Sequence, residues 1–369
     1  MDDLKLFSTY LLGSIELMNR IIMSPMTRCR AIRNVPNDLM AEYYSQRAGA
    51  GLIITEGTSP SPNGLGYARI PGIFSTEQVN GWKKVTSGIH IAGGRIFIQL
   101  MHTGRVGHQL NIPHGARIIA PSAVQPKGQI WTDSKQMQDY PVPERMTEED
   151  IVSTIDEYAV AAKNAIIAGF DGVELHGANG YLLEQFLSPE SNRRQDGYGG
   201  STENRCRFLL EVISAVAKAI GKEKTGIRLS PYGIASDMPY YPEIDSEYEF
   251  LVENLNRIGI EYLHIVDHSS MGAPIVPLKL KKLIRNKFTR TIILSGGYDM
   301  MRAEDDLQKK LGNLVAFGRL FIDNPDLVDR FRHNLALSNN LRRDLFYTNS
   351  EMGYTDYPFS DDTLIQFKN

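Results

Sequence analysis

Residues 174–187 read Glu-Leu-His-Gly-Ala-Asn-Gly-Tyr-Leu-Leu-Glu-Gln-Phe-Leu and place His176, Asn179 and Tyr181 within six positions. Two neutral N–H donors converging on one point polarise a carbonyl oxygen, and a phenol beside them can deliver a proton. Each residue alone has a plainer reading, as a satisfied core histidine, an asparagine in a turn or a buried tyrosine. Together, at the end of a strand, they read as a site. Asp171-Gly172-Val173-Glu174-Leu175 follows the helix-stopping Gly169 and is apolar enough for a buried parallel strand. If the chain turns helically after it, His176 and Asn179 face the same way and Tyr181 sits to one side.

The elements that must position this trio recur along the chain. Eight short runs rich in Ile, Val and Leu occupy residues 20–24, 51–55, 95–100, 172–175, 226–230, 262–266, 291–295 and 314–317. Helical patterns alternate with them. Thr147-Glu148-Glu149-Asp150 is a capping sequence for a helix through Ile167 that stops at Gly169; residues 203–220 end at Gly221 and residues 246–258 at Gly259. Eight βα units predict an α/β fold, the TIM (β/α)8 barrel, in one domain over residues 1–369. The rhythm breaks after the third strand, where residues 104–145 carry five prolines and little helical period. A connection of roughly 40 residues is more often a lid than a spacer, and an extra hairpin over the mouth is expected. A second hairpin at residues 12–17 is expected to close the barrel's bottom.

The string His-x-x-Asn-x-Tyr, followed by Leu-x-x-Phe-Leu-Ser-Pro and by Asn192-Arg193-Arg194-Gln195-Asp196-Gly197-Tyr198-Gly199-Gly200, resembles the old yellow enzyme family of flavin-dependent ene-reductases. The likeness continues through residues 19–28 (Asn-Arg-Ile-Ile-Met-Ser-Pro-Met-Thr-Arg), Thr55-Glu56-Gly57, residues 99–105 (Gln-Leu-Met-His-Thr-Gly-Arg), residues 226–231 and residues 353–358 (Gly-Tyr-Thr-Asp-Tyr-Pro), so it covers essentially the whole chain.

Barrel loops after strands seven and eight are the usual phosphate site, and here they read Ser295-Gly296-Gly297 and Phe317-Gly318-Arg319. Glycines let backbone N–H groups approach phosphate oxygens, and an arginine can clamp them. A Gly-Gly pair alone is often a plain turn. Gln99 ends strand three with an amide suited to a pyrimidine edge. Arg228, inside strand five, is costly there unless it meets an anion, a carbonyl oxygen or a structural ion-pair partner; beside flavin N1 and O2 it would stabilise the anionic reduced ring. Thr27 can bond flavin O4.

The resemblance implies that Pro25, Met26, Thr27, Gly57, Gln99, Arg228, Gly296, Gly297, Gly318 and Arg319 contact FMN, and that Tyr354 lies near the substrate mouth. It implies that NADPH or NADH reduces FMN and is replaced by an α,β-unsaturated carbonyl compound. His176 and Asn179 then bind the carbonyl oxygen, flavin N5 gives hydride to the β-carbon, and Tyr181 protonates the α-carbon. Thr27 and Tyr181 point to the subgroup with threonine near the flavin. Where relatives commonly read Gln-Leu-Trp-His, this chain has Met101, a flexible side chain that reshapes the substrate pocket. Gln195 stands for the usual threonine of its string.

Composition removes other classes. With 42% hydrophobic and 22% charged residues the chain is globular, and 40 basic against 43 acidic residues, a net charge of -3, give no reason to seek nucleic acid or an acidic membrane. The Lys279-Leu280-Lys281-Lys282 cluster reads as a solvated helix face. The start, Met1-Asp2-Asp3-Leu4-Lys5, lacks a signal peptide's basic and apolar regions and no run is long enough to span a bilayer, so a cytoplasmic enzyme is expected, as monomer or homodimer. Two cysteines, Cys29 and Cys206, exclude the four-thiolate cluster of the related dienoyl-CoA reductases. Gly64-Leu65-Gly66-Tyr67-Ala68-Arg69 lacks the third glycine of a dinucleotide fingerprint, Gly221-Lys222 fails as a P-loop, and His102 and His108 form no metal-ligand pattern. The competing readings are a flavin-free barrel isomerase or aldolase, for which Glu56 and Glu174 are the candidate bases, and a non-catalytic flavin or steroid-like binder. Nitrate esters or nitroaromatics are further acceptors for the same flavin site.

Overall fold

The structure, a computed structural model, describes residues 3–360. Met1 and Asp2, on which part of the N-terminal reading rests, lie outside the described residues, as do residues 361–369.

Eight parallel strands close into a barrel. They are β1 (Ile21–Met23), β2 (Leu52–Thr58), β3 (Ile96–Leu100), β4 (Gly172–Gly177), β5 (Thr225–Leu229), β6 (Tyr262–Val266), β7 (Thr291–Ser295) and β8 (Leu314–Phe317). Every residue of all eight is buried. Both faces are covered, by helices outside and by packed side chains inside, which is why each strand appears in the sequence as a nearly continuous apolar run. Two strands run further than expected. β2 continues to Thr58 across a register shift between Ile54 and Gly57, and β4 continues to Gly177, so that it carries His176 itself.

The helices start and stop where the sequence signals them. Thr147 and Asp150 form a reciprocal capping box on Glu148–Ile167, and Ser201 caps Thr202–Ile220. Gly259, at φ 79, ends Ile244–Ile258 in a left-handed cap that only glycine adopts without strain. At the barrel's N-terminal end, Tyr10–Leu12 pairs antiparallel with Ile15–Leu17. Leu12 and Leu17 plug the interior against Ile22, Leu52, Phe97, Tyr262 and Ile293. That end is therefore sealed and apolar, which leaves the opposite end for chemistry.

Within residues 104–145, Gln129–Thr132 pairs with Gln136–Asp139 as an antiparallel hairpin, and Ile119–Ala120 runs parallel to Glu144–Arg145. Among the described residues no helix is long and apolar enough to cross a membrane.

Candidate active site

A cavity of about 900 Å³ opens at the C-terminal end of the barrel. Pro25, Thr27, Gly57, Gln99, Met101, His176, Asn179 and Tyr181 line it from strand ends and the loops that follow them. A hollow of the same volume beside Pro60, Phe74 and the Glu148–Ile167 helix has an acidic rim and contains none of these groups.

His176 lies on β4 directly opposite Arg228 on β5. Its Nδ1 accepts the Ala178 N–H at 3.3 Å, so in the neutral ring the proton sits on Nε2. Burial, reinforced by the charge of Arg228, holds the His176 pKa well below its ordinary value and keeps the ring neutral. The turn after it is not helical. Asn179 has φ 60 and Gly180 φ 77, and the Asn179 N–H donates to Ser230 Oγ at 3.0 Å. This left-handed turn brings Asn179 Nδ2 to 3.5 Å from His176 Nε2, so two N–H donors point out side by side. Asn179 Oδ1 is buried with no partner among the described residues.

Tyr181 precedes the short helix Leu182–Leu187, with its ring edge-on to His176 at 4.8 Å between centroids. Its hydroxyl donates to that of Tyr67 at 3.2 Å. Burial pushes the Tyr181 phenol up to about 12, so it carries its proton throughout the neutral range.

Arg228 is 7% exposed, and its Nε and Nη1 have no acceptor among the described residues. A buried guanidinium with open donors fits a bound group rich in carbonyl oxygen or negative charge, such as the pyrimidine edge of a flavin. Gln99 stands nearby on β3, its Nε2 donating to Glu174 Oε1 at 2.8 Å. In the loops after β7 and β8, Gly296 has φ 119, and a Cβ there would lie 2.0 Å from the Asp267 carbonyl oxygen. Only glycine fits against that carbonyl. Gly297 follows at φ 63; Gly318 meets Met26 Sδ only at ordinary contact distance, and Arg319 is exposed at the start of Arg319–Asp323. The open donors of buried Arg228, with Gln99 at the cavity, therefore suit the ring of FMN.

Met101 is buried against Gly57, where a Cβ would come within 2.4 Å of the Met101 sulfur. Tyr354 does not line the cavity. It is fully buried, stacked on Tyr43 at 4.0 Å with Arg30 over its ring at 4.7 Å. Arg28 and Arg30 draw the C-terminal segment inward through the carbonyls of Phe346, Met352 and Gly353, so Tyr347 rather than Tyr354 reaches the cavity.

The cavity also contains Cys29, Tyr67, Arg69, Trp131, Tyr140 and Tyr347, none of which the sequence had marked as site residues. Arg69 fastens three pieces of this wall, bonding the Cys29 carbonyl, the Tyr347 carbonyl and the Asp133 carboxylate. The signal for Tyr67 was an aromatic residue in a glycine-rich loop directly after β2. Among the described residues no group of His, Cys, Asp and Glu could hold a metal ion, and both cysteines are free thiols.

A model of the NADH:flavin oxidoreductase / NADH oxidase family matches residues 5–338. The chain is 40% identical to 12-oxophytodienoate reductase 7 of Oryza sativa subsp. japonica, over 96% of this chain and 94% of that protein. It is 42% identical to a probable flavin mononucleotide-dependent alkene reductase of Leishmania infantum, over 95% of this chain and 96% of that one. The solved structure of morphinone reductase in complex with tetrahydroNAD superimposes with a TM-score of 0.92 at 42% identity, covering 97% of this chain and 98% of that one. The barrel, the paired donors and these likenesses agree, and the chain belongs to the NADH:flavin oxidoreductase / NADH oxidase family, that of the old yellow enzymes.

Proposed function

We propose that this protein is an FMN-dependent reductase that uses NAD(P)H to saturate the activated C=C bond of α,β-unsaturated carbonyl compounds. The observation that carries the reading is the pair of N–H donors, His176 Nε2 and Asn179 Nδ2, 3.5 Å apart beside a protonated Tyr181. FMN would be held by Arg228, Gln99 and Thr27 at its ring and by Gly296, Gly297, Gly318 and Arg319 at its phosphate, with Pro25, Met26 and Gly57 also in contact with it. When bound, it would supply the hydride chemistry that links the nicotinamide to the substrate's β-carbon.

The remaining work belongs to the chain. His176 and Asn179 donate to the carbonyl oxygen and stabilise the negative charge that develops there. His176 does so as a neutral donor, because burial, reinforced by Arg228 beside it, opposes protonation. Tyr181 gives its proton to the α-carbon. The aromatic wall of Tyr67, Trp131, Tyr140 and Tyr347 suits an apolar carbon skeleton. Residues 104–145 act as a lid within a single domain. All these groups come from one chain, which is compatible with a monomer or a homodimer, and a nicotinamide-fed reaction suits the cytoplasm.

The isomerase or aldolase reading needs a free base at a strand end. Glu174 is committed to Gln99 and His264, and Glu56 accepts from Tyr44 and the Arg28 N–H, so neither supports it. Enone-dependent oxidation of NADPH by the FMN-loaded protein, with cyclohexanone formed from 2-cyclohexenone, tests the proposal. NADPH consumption that the enone does not accelerate would count against it.

A further inference from the structure

Glu174 takes no part in these steps, yet it lies between the two side chains that hold the flavin ring. It is fully buried on β4, directly opposite Gln99 on β3, and accepts from Gln99 Nε2 at 2.8 Å and from His264 Nδ1 at 2.9 Å. A carboxylate can only accept, so the Gln99 amide must turn its NH₂ toward Glu174, which leaves its oxygen free for another partner. His264 sits opposite Arg228 on the neighbouring strand. Burial keeps it neutral, so it donates to Glu174 without cancelling the charge.

Arg228 therefore feels the opposite charge of Glu174 across the barrel interior, but its Nε and Nη1 have no carboxylate bonded to them among the described residues. This separation matters for redox chemistry. A guanidinium whose charge is partly balanced from a distance keeps its donors free for a ligand, while its preference for a negatively charged ligand is moderated.

Resting on the FMN reading above, we propose that Glu174 is a positioning residue that fixes the Gln99 amide and, through its charge, sets how strongly Arg228 favours the reduced, negatively charged flavin over the oxidised one. A role confined to folding would change stability alone.

The test is the two-electron reduction potential of the FMN-loaded Glu174→Gln protein, measured against the wild type with reference dyes. The neutral amide leaves Arg228 unbalanced, so the reduced form should gain about tenfold over the oxidised form, a rise of about 30 mV for a two-electron couple. An unchanged potential in a loaded variant would overturn the proposal. Should Glu174→Gln fail to fold, Glu174→Asp decides, because it keeps the charge but withdraws it from Gln99 by one methylene. FMN binding should then weaken about tenfold with the potential near that of the wild type, whereas unchanged FMN affinity would overturn the orienting role. A wild-type protein that takes up no FMN overturns the underlying reading instead.

Discussion

Tyr181 and Tyr67 meet hydroxyl to hydroxyl at 3.2 Å, with their rings edge-on and centroids 6.2 Å apart. Tyr181 donates in this pair, and once it gives up its proton the Tyr67 hydroxyl can turn to donate in its place and stabilise the tyrosinate. Tyr181→Phe should leave flavin reduction by NADPH nearly intact and slow enone reduction by about 10²-fold or more, the scale of a positioned acid. Tyr67→Phe should slow the same step by about tenfold, the cost of one hydrogen bond to a charged group. Stopped-flow measurement of the separate half-reactions checks both, and equal slowing of the two would refute the assignment of Tyr181. With its phenol pushed up to about 12 by burial, Tyr181 should also sustain the enone step as pH rises to 9.

His176→Ala removes one of two adjacent donors. Binding of a phenol, read from the long-wavelength absorbance it induces in the bound flavin, should weaken by about tenfold or more, together with turnover. Unchanged phenol affinity would remove His176 from the oxygen-binding role. Because burial and Arg228 hold its pKa well below the usual range, no histidine-like transition from this ring should appear in wild-type phenol binding between pH 6 and 8.

Much of this architecture was legible in the sequence, for a physical reason. β6, β7 and β8 coincide with the expected 262–266, 291–295 and 314–317, because strands buried on both faces leave unbroken apolar runs. Cavity-lining residues were legible where they sit on strands, as at His176 and Gln99. It was less so in loops. Asn179 was expected on a helical turn and adopts φ 60, although Asn179-Gly180 is a turn dipeptide. Tyr354 was expected at the mouth, but its position depends on Arg28 and Arg30 reaching carbonyls more than 300 residues away, which no local pattern encodes. Tyr140 and Tyr347 enter the cavity from segments without a helical or strand period, and Trp131 from a hairpin strand of only four residues.

Met101→Trp tests the shape of the pocket. Met101 packs on Gly57 with no room for a Cβ, so an indole must project into the cavity or strain its surroundings by about 1–3 kcal/mol. The Michaelis constant for bulky, ring-fused enones should rise at least about fivefold while that for 2-cyclohexenone changes little, since a displacement of 1–3 kcal/mol corresponds to about 5- to 150-fold. Parallel changes for both substrates would show that Met101 does not select by size.

Glu56 provides a stability test remote from turnover. It is fully buried, accepting from the Tyr44 hydroxyl and the Arg28 N–H, and burial raises its pKa to about 7 from an ordinary 4.5. The folded state thus holds this proton more tightly than the unfolded chain. The resulting stability is fully present below pH 4.5 and is lost as pH rises through 7, a change of order 3 kcal/mol. Glu56→Gln abolishes the titration, so thermal unfolding at pH 5 and pH 8 should show the variant gaining on the wild type at the higher pH. A difference between the two proteins that does not change with pH would contradict this account.

The most direct test of the central claim is an anaerobic visible spectrum of the purified protein as NADPH and then 2-cyclohexenone are added. The account predicts a yellow flavin spectrum that bleaches with NADPH and returns with the enone. A colourless protein that binds no added FMN, or a bleached flavin that the enone leaves unchanged, would contradict it.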